Sequence, residues 1–196
     1  MNHETPSESA EPRSPERHLD GLAPRIYVAS LSDYNAGRLH GTWIDADDEP
    51  DDVHGAISDM LAASVEAGAE EYAIHDYEGF GAYQPHEYEP IDTVNKIARG
   101  IRDHGAAYAH WANHVGTSDP DALDTFEDHY FGRWDSTIAF VEELLDDFGI
   151  ERALDDAVPA PWRYYVRVDT EALARDLATD YTVCENGDGV YLFEPC

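Results

Sequence analysis

The stretch "RIYVASLSDYNAGRLHGTWID" (Arg25–Asp45) predicts how the fold begins. "RIYVASL" alternates apolar and polar residues and is rich in β-formers, and "TWID" has the same character, so we expect two strands. Between them, "SDYNAGRLHG" contains the Ser, Asp, Asn and Gly residues typical of turns. A strand, a turn and a second strand at this spacing indicate a short antiparallel sheet.

The next elements extend this sheet into a small α+β module. Asp52 is expected to cap a helix that runs to about Val65, with Gly68 just past its end. "EYAIH" (Glu71–His75) predicts a third strand. The module therefore reaches to about Pro90.

The middle third of the chain has a helical pattern. Pro90 lies where a helix would begin, and apolar residues follow at helical spacing as far as Gly105. "AAYAHWANHVG" and "DPDALDTFEDHYFG" predict two more short helices, the second of which begins at Asp119 and Pro120.

The last third returns to a mixed pattern. "WDSTIAFVEELLDDFG" (Trp134–Gly149) predicts a helix capped by Asp135 or Ser136. "WRYYVRV" predicts a strand, "TEALARDLA" a helix, and "YTVCE-NGDG-VYLFE" a hairpin with a favoured turn. The apolar stripe of the first helix is expected to consist of Ile138, Val141, Leu144, Leu145 and Phe148.

These patterns predict an α+β protein with short antiparallel sheets. Residues 1–23 are rich in Pro, Ser and Glu and are expected to form a disordered tail. The folded body is expected to consist of an N-terminal α+β module (24–89), a helical middle module (90–132) and a C-terminal α+β module (133–196).

Charge is the unusual feature of the composition. The chain has 42 Asp and Glu against 12 Lys and Arg, a net charge of -30, and Lys96 is the sole lysine. Such a charge repels nucleic acid and anionic lipid, so we expect neither direct nucleic-acid binding nor membrane binding, and a cationic surface is the natural partner. The tail accounts for only about -3, and the remaining charge equals that of about 14 base pairs of duplex DNA.

The segment "VEELLDDFG" (Val141–Gly149) shows the same excess locally, with four carboxylates and no cation. Adjacent like charges repel, and a helix usually relieves this with Lys or Arg. A partner that recognises a row of negative charge would explain the pattern. Adaptation to a salt-rich cytoplasm would explain it equally well, and composition leaves both interpretations open.

Two groups of residues are candidates for metal binding or catalysis. His110 and His114 lie one helical turn apart, but neither a catalytic Glu nor a third ligand follows at a familiar spacing. His75, Asp76 and Glu78 have the chemistry of an acid–base cluster, although a polar turn is the favoured interpretation. The run "DADDEPDDVHGA" lacks the Gly and the Glu of a calcium loop. We therefore expect a protein that is not an enzyme and has neither a metal nor a cofactor; a metal-dependent hydrolase is the alternative.

The cysteine pattern and the absence of targeting or membrane-spanning signals indicate the cellular compartment. Cys184 and Cys196 form no CxxC pattern, so no disulfide framework is expected. The N-terminus has no apolar core of a signal peptide, and no apolar run approaches a membrane span. We expect a soluble cytoplasmic protein.

Four ordered blocks resemble the ArdA antirestriction family. The first is "IYVASLSDYNAGRLHGTWIDA" (Ile26–Ala46), with a Leu-x-x-Tyr-Asn-x-Gly turn and a Gly-x-Trp-Ile-Asp strand. The others are "EEYAIHDYEGF" (Glu70–Phe80), "FEDHYFGRWDSTIAFVEELLDDFG" (Phe126–Gly149) and "WRYYVRVDTEALARDL" (Trp162–Leu177). The Pro-rich tail lies outside the family pattern.

The resemblance implies an elongated homodimer of three small modules that mimics DNA. Family members occupy the DNA-binding groove of type I restriction-modification enzymes without performing chemistry, and mobile elements use them to protect incoming DNA. The implied dimer contact lies in the C-terminal module, at Tyr164, Tyr165 and Val166. The carboxylates expected to stand for phosphates are Asp45, Asp47, Asp48, Glu70, Glu71, Glu87, Glu127, Asp128, Glu142, Glu143, Asp146, Asp147, Asp155 and Asp156.

Overall fold

Contacts within the chain divide the protein into two compact units, one ending at His129 and the other beginning at Tyr130. The computed structural model describes residues 23–187 and 189–195, so the predicted disordered tail lies, apart from its last residue, outside the described residues. The helical residues 90–129 belong to the first unit together with the N-terminal sheet. The division into three modules stays a prediction.

The N-terminal unit contains a three-stranded antiparallel sheet in the order β2–β1–β3, which confirms the three predicted strands. Ser30 ends β1 and caps a short helix by accepting a hydrogen bond from the backbone N–H of Asp33, so the first residues of the predicted turn are helical. The elements are β1 (Arg25–Ser30), α1 (Leu31–Asn35), β2 (Gly41–Asp45) and β3 (Tyr72–Glu78).

Helices pack beside this sheet and complete the unit. The predicted cap of α2 at Asp52 is wrong by three residues, since Glu49 is the cap and the helix begins at Pro50, whose fixed φ suits a first helical position. Its end is also earlier than predicted, because Ala63 caps it. The elements are α2 (Pro50–Ala62), α3 (Ile91–His104), α4 (Ala106–Val115), a 3₁₀ helix (Pro120–Thr125) and α5 (Phe126–His129).

One buried side chain ties the helical residues to the sheet. Asn95 of α3 is 4% exposed, and its amide donates hydrogen bonds to the carbonyls of Ala46 (2.7 Å) and Asp48 (2.8 Å). A buried amide needs such partners, and these carbonyls belong to the turn between β2 and α2. Asn95 therefore fixes the conformation of a turn that is rich in carboxylates.

The C-terminal unit has a second antiparallel sheet, in the order β4–β6–β5, with three helices. The sheets and helices of both units confirm the predicted α+β class. The predicted hairpin and the helix over "TEALARDLA" are present, whereas β4 was not predicted as a strand. The elements are β4 (Tyr130–Trp134), α6 (Thr137–Asp147), α7 (Ile150–Ala157), α8 (Thr170–Asp180), β5 (Thr182–Asn186) and β6 (Gly189–Phe193).

The apolar stripe predicted for α6 is partly wrong. Val141 is fully buried, but Ile138 is 39% and Phe148 71% exposed. Phe140, which lies outside the predicted stripe, is 2% exposed and packs against Trp134 with ring centroids 4.8 Å apart. Phe148 stays outside because α6 ends at Asp147, and Gly149 then redirects the chain with a φ of 62°.

The predicted strand "WRYYVRV" is also wrong. Residues Arg163–Tyr165 form a 3₁₀ turn instead. The Arg163 guanidinium lies 3.1 Å from Oδ1 of Asp155 and donates to the carbonyl of Val158, which turns the segment back toward α7. Trp162 is 64% exposed and Tyr164 88% exposed, so this segment is not a core strand.

Candidate functional site

The last residue of β2 and the acidic turn that leads to α2 include three of the predicted target-binding residues. Asp48 is exposed, and its pKa is raised above the usual 3.8, first by partial burial of the carboxyl group and then by four neighbouring negative charges. Those charges belong to Asp45, Asp47, Asp52 and Glu49. The four carboxylates around Asp48 therefore lie close enough together to disfavour its ionised form.

Arginines balance part of this charge. Arg25 Nε lies 2.8 Å from Oδ1 of Asp45, and Arg102 Nη1 lies 4.0 Å from Oδ2 of Asp47. Arg99 pairs in the same way with Glu49, a residue that the prediction omitted although it lies in the same acidic run. Exposed pairs of this kind contribute little to stability, about 0–1 kcal/mol each.

A second acidic group flanks β3. Backbone hydrogen bonds from Leu31 N to the Glu71 carbonyl (3.0 Å) and from Ile74 N to the Glu87 carbonyl (2.9 Å) hold both residues beside the sheet. Their side chains are exposed. A hydrogen bond to the Glu87 carboxylate raises the pKa of Tyr88, and the negative charges of Glu87 and Glu71 raise it further. The structure therefore brings Glu71 and Glu87 near one exposed ring, and Glu70 is exposed next to them in the chain.

Helix α6 carries the acidic run of the C-terminal unit. Glu142, Asp146 and Asp147 are exposed, and no basic residue lies in the last turn. Carboxylates at a helix C-terminus face the negative end of the helix dipole, which is unfavourable. Glu143 differs from the other three, because its Oε2 accepts a hydrogen bond from Trp134 Nε1 at 3.1 Å.

The remaining predicted carboxylates lie on two short helices. Asp156 of α7 is exposed, while Asp155 forms the ion pair with Arg163 described above. Glu127 and Asp128 lie exposed in α5, which directly continues the 3₁₀ helix Pro120–Thr125.

Only some of the predicted carboxylates are both exposed and, among the described residues, not in an ion pair, and these form a smaller set that a partner can reach. Asp45, Asp47 and Asp155 are in ion pairs, and Glu143 is hydrogen bonded to Trp134. Across residues 23–187 and 189–195, the others are exposed and form no ion pair with a described cation. This available set is Asp48, Glu70, Glu71, Glu87, Glu127, Asp128, Glu142, Asp146, Asp147 and Asp156.

The residues considered for catalysis do not form a common cluster. Glu78 pairs with Arg25 at 3.3 Å, the His75 ring packs edge-on against Tyr34, and Asp76 Oδ1 accepts from the next backbone N–H. Each side chain therefore has its own partner rather than one of the other two.

The two candidate metal-binding histidines, His110 and His114, lie in a partly buried and aromatic environment. Burial lowers the pKa of His110, and the ring of His114 lies 6.1 Å from that of Trp111. Within the part of the chain that the structure describes, no group of three or more His, Cys, Asp or Glu side chains is placed to hold a metal ion.

The predicted dimer residues share high exposure. Tyr164 is 88%, Tyr165 75% and Val166 43% exposed. Trp162 and Phe148 are exposed in the same unit. Exposure is what a dimer contact requires before a partner covers it, and the contact itself stays a prediction.

Comparison with known proteins adds one match. A family model described as antirestriction protein (ArdA) matches residues 26–191, which is most of the chain. No curated protein matches the chain. Among the helices of the described residues, none combines the length and the apolar character needed to cross a membrane.

Proposed function

We propose, from the premise that this chain belongs to the ArdA family of antirestriction proteins, that it inhibits type I restriction-modification enzymes as a mimic of DNA. The protein occupies the DNA-binding groove of the enzyme, and its carboxylates take the positions of phosphates. It acts by binding and not by catalysis. Its setting is the cytoplasm, where a mobile element's incoming DNA meets the restriction enzyme.

The observation that supports this proposal best is the available set of exposed carboxylates. These residues lie in both units and have no described cation partner. After partial burial, four neighbouring carboxylates contribute to the raised pKa of Asp48, so like charges repel within the acidic turn. Folding gains nothing from such repulsion, and two of the carboxylates, Asp146 and Asp147, also oppose a helix dipole. A cationic partner relieves both costs.

The binding free energy follows from the same charges. A DNA-binding groove carries Arg and Lys side chains, and its anions are released when DNA binds there. Carboxylates in place of phosphates release the same counterions. Since each exposed pair contributes only about 0–1 kcal/mol, affinity depends on many residues and no single one dominates.

We further propose that two copies associate through Tyr164, Tyr165 and Val166. The exposure of these residues supports this, since apolar side chains covered by a second copy are removed from water at about 25 cal/mol per Å². A two-fold dimer doubles the length of DNA that the carboxylates imitate. Light scattering should give twice the chain mass for the wild type and the chain mass for a Tyr164→Ser/Tyr165→Ser variant.

The function is tested by cleavage of unmodified plasmid by a purified type I restriction-modification enzyme. We expect the protein to block cleavage when it is added in slight excess over the enzyme, and to do so less effectively as salt rises, because screening weakens charge pairing. Polyaspartate of equal total charge is the control. It separates the placement of the carboxylates from their number.

Two results contradict the proposal. Unchanged cleavage in the presence of excess protein would show that the chain does not target this class of enzyme. Equal inhibition by polyaspartate would show that charge alone acts, which is the behaviour of a salt-adapted acidic surface.

A further inference from the structure

The outer face of the N-terminal sheet carries two rows of side chains that cross all three strands. In one row, Tyr27 on the central strand lies opposite Trp43 on β2 and Asp76 on β3. In the next row, Arg25 lies opposite Asp45 and Glu78. Residues paired across antiparallel strands point to the same face, so the rings and the carboxylates are neighbours. We call this group the aromatic–acidic face.

The aromatic row depends on a glycine. The rings of Tyr27 and Trp43 have centroids 5.6 Å apart. A Cβ on Gly41 would stand 2.9 Å from Cζ of Tyr27 and 2.5 Å from the Val28 carbonyl oxygen, so only glycine leaves space for the Tyr27 ring. Every second residue of "GTWID" therefore lies on the outer face: Gly41 leaves space for the Tyr27 ring, and Trp43 and Asp45 lie opposite Tyr27 and Arg25.

The face already holds one guanidinium group. Cζ of Arg25 lies 5.6 Å from the centroid of the Trp43 ring, while Nε is 2.8 Å from Asp45 and Nη1 donates to Glu78 at 3.3 Å. A planar cation thus meets an aromatic face and carboxylates together. This combination favours arginine, which stacks on rings and pairs with carboxylates, over the compact and strongly hydrated ammonium of lysine.

We propose that the aromatic–acidic face docks an arginine side chain of the inhibited enzyme, stacked on Trp43 and Tyr27 and paired with Asp76. Trp43 is 37% exposed and Asp76 is exposed, so part of the row is open to a second cation beside Arg25. The identity of the partner rests on the proposed function. The chemistry goes beyond phosphate mimicry, since a phosphate attracts any cation and offers no ring on which to stack.

The test compares two probes of equal charge, blocked tetra-arginine and blocked tetra-lysine peptides, by titration calorimetry at low salt with the full-length protein. Bulk negative charge attracts both peptides, and carboxylate pairing as well as ring stacking can favour arginine, so the stacking is identified by the change in the affinity ratio when the ring is removed. We expect the wild type to prefer tetra-arginine by about two- to fivefold, the preference that an exposed cation–π contact provides.

Variants test whether the aromatic–acidic face causes the preference for tetra-arginine. Trp43→Leu removes the ring without changing charge, and it should bring the ratio close to one. Trp43→Phe keeps an aromatic ring and should retain the preference, even if it lowers stability. Trp162→Leu is the matched control, because it removes another exposed Trp and should leave the ratio unchanged. Circular dichroism checks that each variant is folded.

Three results would overturn the inference. These are equal binding of the two peptides by the wild type, a preference for tetra-arginine that persists in folded Trp43→Leu, and loss of that preference in Trp162→Leu. Failure of the wild type to inhibit cleavage would overturn the assigned partner but not a peptide preference, so the two proposals fail separately. If the wild type inhibits cleavage but Trp43→Leu keeps the wild-type ratio of tetra-arginine to tetra-lysine affinity, the proposal of DNA mimicry holds and the role of the aromatic–acidic face does not.

Discussion

Trp134 Nε1 donates a hydrogen bond to Oε2 of Glu143 across 3.1 Å, which joins the end of β4 to helix α6. The four carboxylates of this helix are therefore not equivalent. Glu143 is half-buried and serves the fold of the C-terminal unit, whereas Glu142, Asp146 and Asp147 are exposed. Spacing along the helix does not distinguish them, because Glu142 and Glu143 are adjacent in the chain.

Replacing these two glutamates by alanine should separate structure from binding. Glu143→Ala leaves the Trp134 indole without its acceptor and should lower the free energy of unfolding by about 1 kcal/mol. Glu142→Ala should leave stability within about 0.5 kcal/mol of the wild type and weaken inhibition only slightly. Urea unfolding and the cleavage assay measure the two effects. Equal stability of both variants would refute a structural role for Glu143.

The core of the C-terminal unit predicts a contrast between two phenylalanines. Phe140→Ala should cost about 3–5 kcal/mol, because Phe140 packs in a buried cluster with Val141, Leu192 and other apolar residues. Phe148→Ala should cost little in the isolated chain, since Phe148 is 71% exposed. Chemical denaturation checks both values. A large loss of stability for Phe148→Ala at low protein concentration would contradict the exposure of this ring.

Two glycines predict opposite effects of the same substitution. Gly41→Ala should destabilise by about 1–3 kcal/mol, because the new Cβ would meet the Val28 carbonyl oxygen and the Tyr27 ring. Gly55→Ala should stabilise by about 0.5–1 kcal/mol, since Gly55 lies inside α2 with no atom within 4 Å of the added Cβ. Thermal melts of both variants provide the comparison. A neutral Gly41→Ala would show that the Tyr27 ring does not need this space.

A buried carboxylate predicts a dependence of stability on pH. The side chain of Asp33 is 1% exposed, and a hydrogen bond from Ser64, with further ones from Ser30 and Arg38, lowers its pKa below 3.8 in spite of burial. Because the folded-state pKa lies below the unfolded one, the ionised group stabilises the fold at neutral pH, and this contribution is lost as pH falls through the folded-state pKa.

The variant Asp33→Asn should therefore be less stable than the wild type at pH 7. The gap in melting temperature should narrow once the pH falls below about 4, where the unfolded carboxyl is protonated. Asp176→Asn, at an exposed position of α8, is the control and should show no such gap. A gap that stays constant down to pH 2 would refute the role of ionised Asp33.

If many carboxylates share the binding of the target, their positions should affect inhibition of cleavage more than their total number. Amide substitutions at six members of the available set, Glu70, Glu71, Glu142, Asp146, Asp147 and Asp156, should abolish inhibition of cleavage, whereas any one of them should weaken it by no more than about fivefold. The matched control neutralises six other exposed carboxylates, Asp121, Glu171, Asp176, Asp180, Glu185 and Glu194. Equal losses in the two variants would show that total charge, and not position, determines binding.

Local patterns predicted most of the elements correctly, and the failures have a common physical origin. Alternation identified β1 and β3, and Pro90 and Gly105 bounded α3. β4 was missed because Tyr130–Trp134 follows a short helix without a turn signal, and its strand conformation comes from pairing with β6, which is distant in the chain. "WRYYVRV" has β-forming residues, yet none of the strands within the described residues pairs with it, and the ion pair of Arg163 with Asp155 bends it.

Sequence by itself determined the α+β class, the family and the large excess of negative charge, because these depend on residue types and on periodicity along the chain. Tertiary structure alone decided which carboxylates remain available. Arg25 reaches Asp45 across the sheet, and Trp134 reaches Glu143 from a neighbouring element. Pairing of charges depends on distances of a few ångströms in space, and residues close in space are often far apart in the chain.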